Sequence, residues 1–415
     1  MRPNDLYPRY LRPRVMEALA DSPVVLIHGP RQSGKTTLAR LVGDELGFAY
    51  LSFDDDVQRA AAQSDPVGYV ADLPEQVILD EVQRVPELFT SLKTAVDARR
   101  EPGRFILTGS ASVLLIPRLA DSLAGRMDIL RLHPLAQAEL AGTDAGFLSA
   151  LFGAGFKTGV VGQRLGLALA HRMMSGGYPA ALTRATARRR TVWYRNYVET
   201  LVQRDVRDLG RISALDALPR LLTLAAGQTA RLLNVSDLAA PFQISRPTIR
   251  EYLTLLTRIF LLEELPPWHN NRLKRLIKTP KLHLSDTGLA GALLGLEPDA
   301  LWKDRPLFGQ LLETFVYQEL RRQASWQEAS VCFSHFRDKD KVEVDLVLES
   351  GSTLAGVEVK AASTVTANDF KGLRKLQTAA GKFFRAGVVL YDGGAVVPFG
   401  KNLYAVPISS LWENL

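Results

Sequence analysis

The chain has 415 residues, 47% hydrophobic and 23% charged, a balance that suits globular protein and, at this length, roughly two to four domains. No run of about 18 apolar residues and no apolar N-terminal leader are present, so neither a membrane span nor a secretory signal is expected. A single cysteine, Cys332, excludes a disulfide framework and a cysteine-rich metal site, and the cytoplasm is the expected compartment.

The first strand expected is the apolar run Val24-Val25-Leu26-Ile27, and it delivers the chain to GPRQSGKT at residues 29–36. This fits G-x-x-x-x-G-K-[ST]. Gly29 and Gly34 permit backbone angles and close approaches that a Cβ blocks. Successive backbone N–H groups of the loop point at an anion, and the helix starting near Lys35 adds the positive end of its dipole. Lys35 is placed for the β- and γ-phosphates of ATP, and the Thr36 hydroxyl for Mg²⁺. The nucleotide contacts are assigned to Gly29, Gln32, Ser33, Gly34, Lys35, Thr36 and Thr37.

Further strands are expected near 48–53, 77–80, 104–108 and 127–132, with helices between them, which makes a doubly wound parallel sheet. The strand Val77-Ile78-Leu79 ends in two carboxylates. Asp80 suits Mg²⁺, and Glu81 suits the general base that polarises water. Thr108, or Ser110, is placed to sense the γ-phosphate. Arg126 lies just before the last strand. It is either an arginine finger reaching a neighbouring subunit's site, which implies a homo-oligomer and in the limit a hexameric ring, or half of a local salt bridge.

Charge is spread unevenly. Residues 1–150 hold 16 Lys and Arg against 20 Asp and Glu, residues 151–300 hold 21 against 11, and residues 301–415 hold 14 against 13. A basic middle of that kind suits a polyanion such as DNA. Residues 150–230 have a helical, Arg-rich pattern in which Trp193, Tyr194 and Tyr197 serve either base stacking or the core of a lid. A helix-turn-helix follows: Ser236 is expected to cap a short helix to about Pro241, and Ser245 a second helix with Pro247 in its first turn. Ile249, Leu253 and Leu256 form its buried face, leaving Arg246, Thr248 and Arg250 outward for a DNA groove. The run from 272 to 281 then carries Arg272, Lys274, Arg275, Lys278 and Lys281 and no acid. It lies between two strand-like runs and reads as the basic wing of a winged helix, used for DNA contact or for packing against protein.

Residues 309–320 read as an amphipathic helix. Then Val342, Val344 and Leu346 alternate with Glu343 and Asp345, a Ser-Gly-Ser turn follows, and the next strand carries Glu358 and Lys360 two apart on one face. With a helix at about 368–380 and a strand at 386–391 the order is αββαβ. The hairpin gathers Asp345, Glu358 and Lys360, a set suited to Mg²⁺-assisted phosphodiester hydrolysis, with Glu313 as a further metal ligand. An exposed charged hairpin, or a nuclease fold that no longer cuts, fits the same residues.

The marks GPRQSGKTT, VILDE, ILTGSAS, LAGR, SGGYP, QRDV, KTPKLHLSDTGL, LLETFVYQEL and EVD with GVEVK run in this order along nearly the whole chain. In them the sequence resembles a prokaryotic family of AAA-type ATPases that carry a C-terminal domain of unknown function related to restriction endonucleases, of the PD-(D/E)xK kind. The resemblance implies a cytoplasmic ATPase with a DNA role. The expected organisation is a P-loop ATPase domain over 1–140, a helical lid or linker over 141–230, a winged helix-turn-helix over 231–285 and an α/β nuclease-like domain over 286–415. The expected function is a DNA-binding ATPase that remodels or translocates DNA, with a Mg²⁺-dependent endonuclease at its C-terminal end. The alternative is a nucleotide-dependent switch or scaffold for a protein partner, with an inactive nuclease-like domain.

Overall fold

The computed structural model describes residues 6–110, 123–153, 155–206, 216–269 and 279–413. The chain forms two compact units, Met1–Leu135 with Arg258–Phe260, and Ala136–Thr257 with Leu261–Leu415. Among the described residues no helix is long and apolar enough to cross a membrane.

The first unit is built on five parallel strands, β1 (Val24–His28), β2 (Ala49–Ser52), β3 (Val77–Asp80), β4 (Phe105–Gly109) and β5 (Met127–Arg131), in the order β2-β3-β4-β1-β5. The inner strands β1, β3 and β4 are buried along their length, as both faces of a parallel sheet demand. Alternation sorts their side chains into two layers. Val24, Leu26, Leu79 and Leu107 meet Phe89 and Leu92 of helix Leu88–Ala98. Val25, Ile27, Ile78 and Ile106 meet Val15 and Leu19 of α1 (Arg12–Asp21) and Leu38 and Val42 of α2 (Lys35–Leu46). The five strands expected from the sequence are present here, each within a residue or two, and the connection over 111–122 lies outside the described residues.

The second unit holds two sheets. One is mixed and seven-stranded, of β6 (Gly159–Val160), β10 (Cys332–Arg337), β11 (Glu343–Ser350), β12 (Thr353–Lys360), β13 (Phe384–Tyr391), β14 (Ala395–Gly400) and β15 (Leu403–Pro407), in the order β10-β11-β12-β13-β15-β14-β6. The other is antiparallel, of β7 (Arg231–Leu232), β8 (Leu262–Leu265) and β9 (Lys281–Leu284), in the order β7-β9-β8. The αββαβ order expected at the C-terminal end is extended by β10 before the hairpin and by β14 and β15 after β13. The segment with the helical, Arg-rich pattern also supplies β6, which pairs with β14 through Ala395 and Val160.

Helix Arg305–Ala324 is a central helix and not the amphipathic one expected over 309–320. Leu311, Leu312, Phe315, Val316 and Leu320 are buried, and so are Thr314, Gln318, Glu319, Arg322 and Gln323. Its polar residues are taken up by partners inside the protein. Gln318 Nε2 donates to the Leu284 carbonyl at 2.9 Å, Gln323 Nε2 to the Leu411 carbonyl at 2.6 Å, and Glu319 Oε1 accepts from the Gln137 N–H at 2.7 Å. The SGGYP and SDTGL segments meet at one buried carboxylate. Asp286 accepts from the Gly177 N–H at 2.8 Å, Tyr194 Oη at 3.0 Å and Arg322 Nη2 at 3.1 Å. Trp193, Tyr194 and Tyr197 of helix Ala187–Leu201 gather on Tyr178, with Trp193 stacked on Tyr197 at 5.0 Å, so these rings serve the core reading.

Candidate functional site

Residues 29–34 turn tightly between β1 and α2, and the backbone shows why glycine is required. Gly29 has φ +152°, and an added Cβ meets the Leu132 carbonyl oxygen at 2.2 Å; Gly34 has φ +97°. Gln32 takes the left-handed region at φ 62°, a non-glycine strain of the sort that accumulates at functional loops. Lys35 is 5% exposed, and its ammonium donates to the loop's own Gly29 and Pro30 carbonyls at 3.1 and 3.0 Å. The Ser33 hydroxyl is buried without a hydrogen-bond partner. Thr37 is exposed on the first turn of α2.

Asp80, 4% exposed at the end of β3, is held by three hydroxyls. Thr36 Oγ1 donates at 2.9 Å and Tyr50 Oη at 2.9 Å, and Thr108 Oγ1 donates as well. The next residue, Glu81, has φ 58°; its N–H donates to Thr108 Oγ1 at 3.2 Å, and its carboxylate accepts from Gln83 Nε2. Gln83 also donates to Ser110 Oγ at 3.0 Å. The structure therefore brings Lys35, Thr36, Asp80, Glu81 and Thr108 to one edge of the sheet. These groups fit a magnesium-bound triphosphate: a glycine cradle that a Cβ would fill, an ammonium at its centre, and a hydroxyl and a carboxylate as hard oxygen ligands.

Three contributors have no spacing signature in the sequence. Tyr50 reaches Asp80 from β2, and burial, then the Asp80 charge, push its phenol up to about 12, so it remains a donor. Arg9 clamps the loop, donating to the Ser33 and His133 carbonyls at 2.6 Å each. Gln83 holds Glu81 through its amide. Arg126 pairs within its own chain, Nε and Nη2 meeting the two oxygens of Asp97 at 2.6 and 3.0 Å, the local bridge weighed above.

In the second unit the helix-turn-helix residues form helices Val235–Ala239 and Arg246–Arg258. The first is capped by Asn234, not by Ser236. The Asn234 backbone is extended, and its Oδ1 accepts from the Ser236 N–H at 3.0 Å. Ser245 caps the second, accepting from the Thr248 N–H at 3.3 Å, and its hydroxyl also meets that of Thr248 at 2.8 Å. Ile249, Leu253 and Leu256 are fully buried, while Arg246 and Arg250 are exposed; Arg250 meets Glu264 at 3.1 Å. Arg272, Lys274, Arg275 and Lys278 lie outside the described residues. Lys281 is not an outward wing cation. It opens β9 with a side chain 4% exposed.

The reason lies in the carboxylates beside it. Lys281 Nζ meets Glu313 Oε1 at 2.7 Å, Asp345 Oδ1 at 3.2 Å and Glu343 Oε2 at 4.0 Å. The antiparallel register, Leu346 opposite Val357, brings Asp345 next to Glu358, and Lys360 Nζ meets Glu358 Oε1 at 2.8 Å. Asp345, Glu358, Lys360 and Glu313 thus converge as the sequence suggested, with Lys281 as an unforeseen fifth member. Burial and the Asp345 charge push Glu358 up to about 8, and the same two causes raise Glu313 well above the carboxylate range. Burial pulls Lys281 down, but Glu313 and Asp345 outweigh it and keep the ammonium charged.

Residues 21–141 match a family described as AAA domain, residues 167–300 a domain of unknown function (DUF8612) and residues 308–411 a domain of unknown function (DUF4143). Uncharacterized proteins of Mycobacterium tuberculosis, Rv2008c, and Mycobacterium bovis, Mb2031c, are each 30% identical over 400 residues, covering 96% of this chain and 83% of theirs. Among solved structures, the chain is similar to a Walker-type ATPase of Pyrococcus abyssi at 17% identity, covering 70% of this chain and 97% of that one with a TM-score of 0.43. It is also similar to the RuvB Holliday junction branch migration motor of Thermotoga maritima, at 18% identity, covering 64% and 92% with a TM-score of 0.30.

Proposed function

The chain belongs to the family of P-loop ATPases that join an AAA domain to the C-terminal domain DUF4143, and from that premise we propose that it is a DNA-binding ATPase that couples hydrolysis to remodelling or moving DNA. The observation that carries the ATPase half is the meeting of Thr36 and Asp80 at 2.9 Å beside the Lys35 loop. In this reading Lys35 exchanges the Gly29 and Pro30 carbonyls for the β- and γ-phosphates. Thr36 and Asp80 hold Mg²⁺, which neutralises charge developing on the phosphates. Glu81, released from Gln83, orients and deprotonates the attacking water, and Thr108 fixes the Asp80 carboxylate.

The DNA half rests on the exposed start of helix Arg246–Arg258, whose Arg246 and Arg250 stand clear of the buried Ile249 face, and on the cation excess of residues 151–300. Arg272, Lys274, Arg275 and Lys278 extend that surface in the proposal. A homo-oligomer, in the limit a hexameric ring, belongs to it too. Arg126 then leaves Asp97 for a neighbouring subunit's phosphates.

The test is ATP turnover with and without single-stranded, duplex and branched DNA. Lys35→Ala should abolish turnover, and at least one DNA should raise it. Arg246→Ala with Arg250→Ala should remove the rise and flatten the salt dependence of DNA binding by about two in slope. Turnover indifferent to every DNA, with no salt-sensitive binding, rejects the DNA half and leaves the ATPase half standing. A monomer mass with a slowly hydrolysed ATP analogue and DNA rejects the ring.

A further inference from the structure

The nuclease-like residues and the metal they are expected to hold do not fit together in this structure. A divalent ion in such a cluster needs free carboxylate oxygens, and Mg²⁺ demands them at about 2.0–2.1 Å in octahedral array. Here lysines hold one oxygen of each carboxylate, while Glu358 Oε2 is buried without a hydrogen-bond partner. Asp345 gives one oxygen to Lys281 at 3.2 Å and the other to the Val359 N–H at 2.9 Å. Glu313 Oε1 is taken by Lys281 at 2.7 Å, and Glu358 Oε1 by Lys360 at 2.8 Å. Among the described residues, no three His, Cys, Asp or Glu side chains are arranged to hold a metal ion.

We propose that Lys281 is an internal cation that fills the metal position of the nuclease-like domain and shuts that site against divalent ions.

The physical argument is one of exclusion. An ammonium and a metal ion cannot share Glu313 Oε1 and Asp345 Oδ1. Admitting the ion also strands a lysine only 4% exposed without its counter-charges, an uncompensated buried charge. Among the described residues, a cleft of about 650 Å³, lined by Arg231, Asn234, Thr279, Arg337 and Glu343, opens onto Lys281 itself. Lys360 keeps its motif place, so the domain carries the full set of catalytic-type residues with an extra lysine as its plug. This inference stands independently of the DNA reading above.

The experiment counts Mn²⁺ bound to the full chain by electron paramagnetic resonance, in an Asp80→Asn background so that the nucleotide site contributes nothing. With Lys281 present, Asp345→Asn should change neither stoichiometry nor affinity. Lys281→Met should gain one Mn²⁺ held at least about tenfold more tightly than any in the parent, and Asp345→Asn or Glu313→Gln on top should remove it. Lys281→Arg, which keeps the charge, should gain none. A Mn²⁺ equivalent lost on Asp345→Asn while Lys281 is intact overturns the proposal, and that arm needs no variant at Lys281. A folded Lys281→Met or Lys281→Gln protein that gains no Mn²⁺ overturns it as well.

Discussion

His28 ends β1 one residue before the phosphate loop, 7% exposed, with its Nδ1 buried and unpartnered. Burial, then the charges of Arg131 and Lys35, hold its imidazole down to about 3 against an ordinary 6.5. The folded protein keeps this ring neutral, while the unfolded chain takes up a proton below about pH 6.5. The His28 contribution to stability is therefore whole above that value and falls as pH drops toward 3, by about 1.4 kcal/mol per pH unit. The difference in urea stability between the parent and His28→Asn should shrink from about pH 7 to pH 5; a difference that stays constant over that range rejects the assignment. The residues with motif spacing, Lys35, Thr36, Asp80 and Glu81, were legible in the sequence because backbone geometry dictates their intervals. Tyr50, Arg9 and Gln83 were not, because each reaches in by side-chain length from a place that no interval constrains. Lys281 was misassigned for a related reason: a run of cations reads as a solvated surface until the carboxylates facing it are known.

At the scale of elements, patterns of period two and 3.6 located the five strands of the first sheet, the capped helix at Arg246 and the β11–β12 hairpin. They failed where burial surrounds an element. Helix Arg305–Ala324 hides polar residues as fully as apolar ones, so it has no outward face for a pattern to report. Strands β10 and β14 were missed because residues 332–337 and 395–400 are short runs interrupted by polar residues or by Pro398 and Gly400, and β15 because it is a run of only five residues. The SGGYP segment shows an element fixed by a close approach. Gly176 has φ +67°, and an added Cβ lies 2.0 Å from Tyr194 Oη and 2.3 Å from Asp286 Oδ1. Gly176→Ala should cost about 3 kcal/mol, from strain and from displacing that hydrogen-bonded pair. Gly142 has a similar φ of +65° with nothing within 4 Å, so Gly142→Ala should cost only about 1 kcal/mol. Thermal melts of the two variants separate crowding from backbone strain, and equal losses contradict the account.

Across the whole molecule, the segment expected as a lid and the domain expected to be nuclease-like fall within one unit, and specific bonds join them. Arg385 donates to the Gly153 carbonyl, Thr143 Oγ1 to the Trp412 carbonyl, and the buried Asp392 accepts from the Leu165 N–H at 2.9 Å and from Arg164 Nε at 3.1 Å. The far rim of the seven-stranded sheet is β6, whose Val160 lies 200 residues upstream of Lys360 at the end of the hairpin. The family match at 308–411 therefore covers only part of one compact unit. A fragment cut there bares the hydrogen-bonding rim of β14 and strips Asp392 of its donors, which invites self-association. Residues 308–415 expressed alone should elute as aggregate in size-exclusion chromatography with light scattering, whereas residues 136–415 should run as a discrete species. Any attempt to find what the C-terminal half does by excising it would then be studying a torn edge rather than a module.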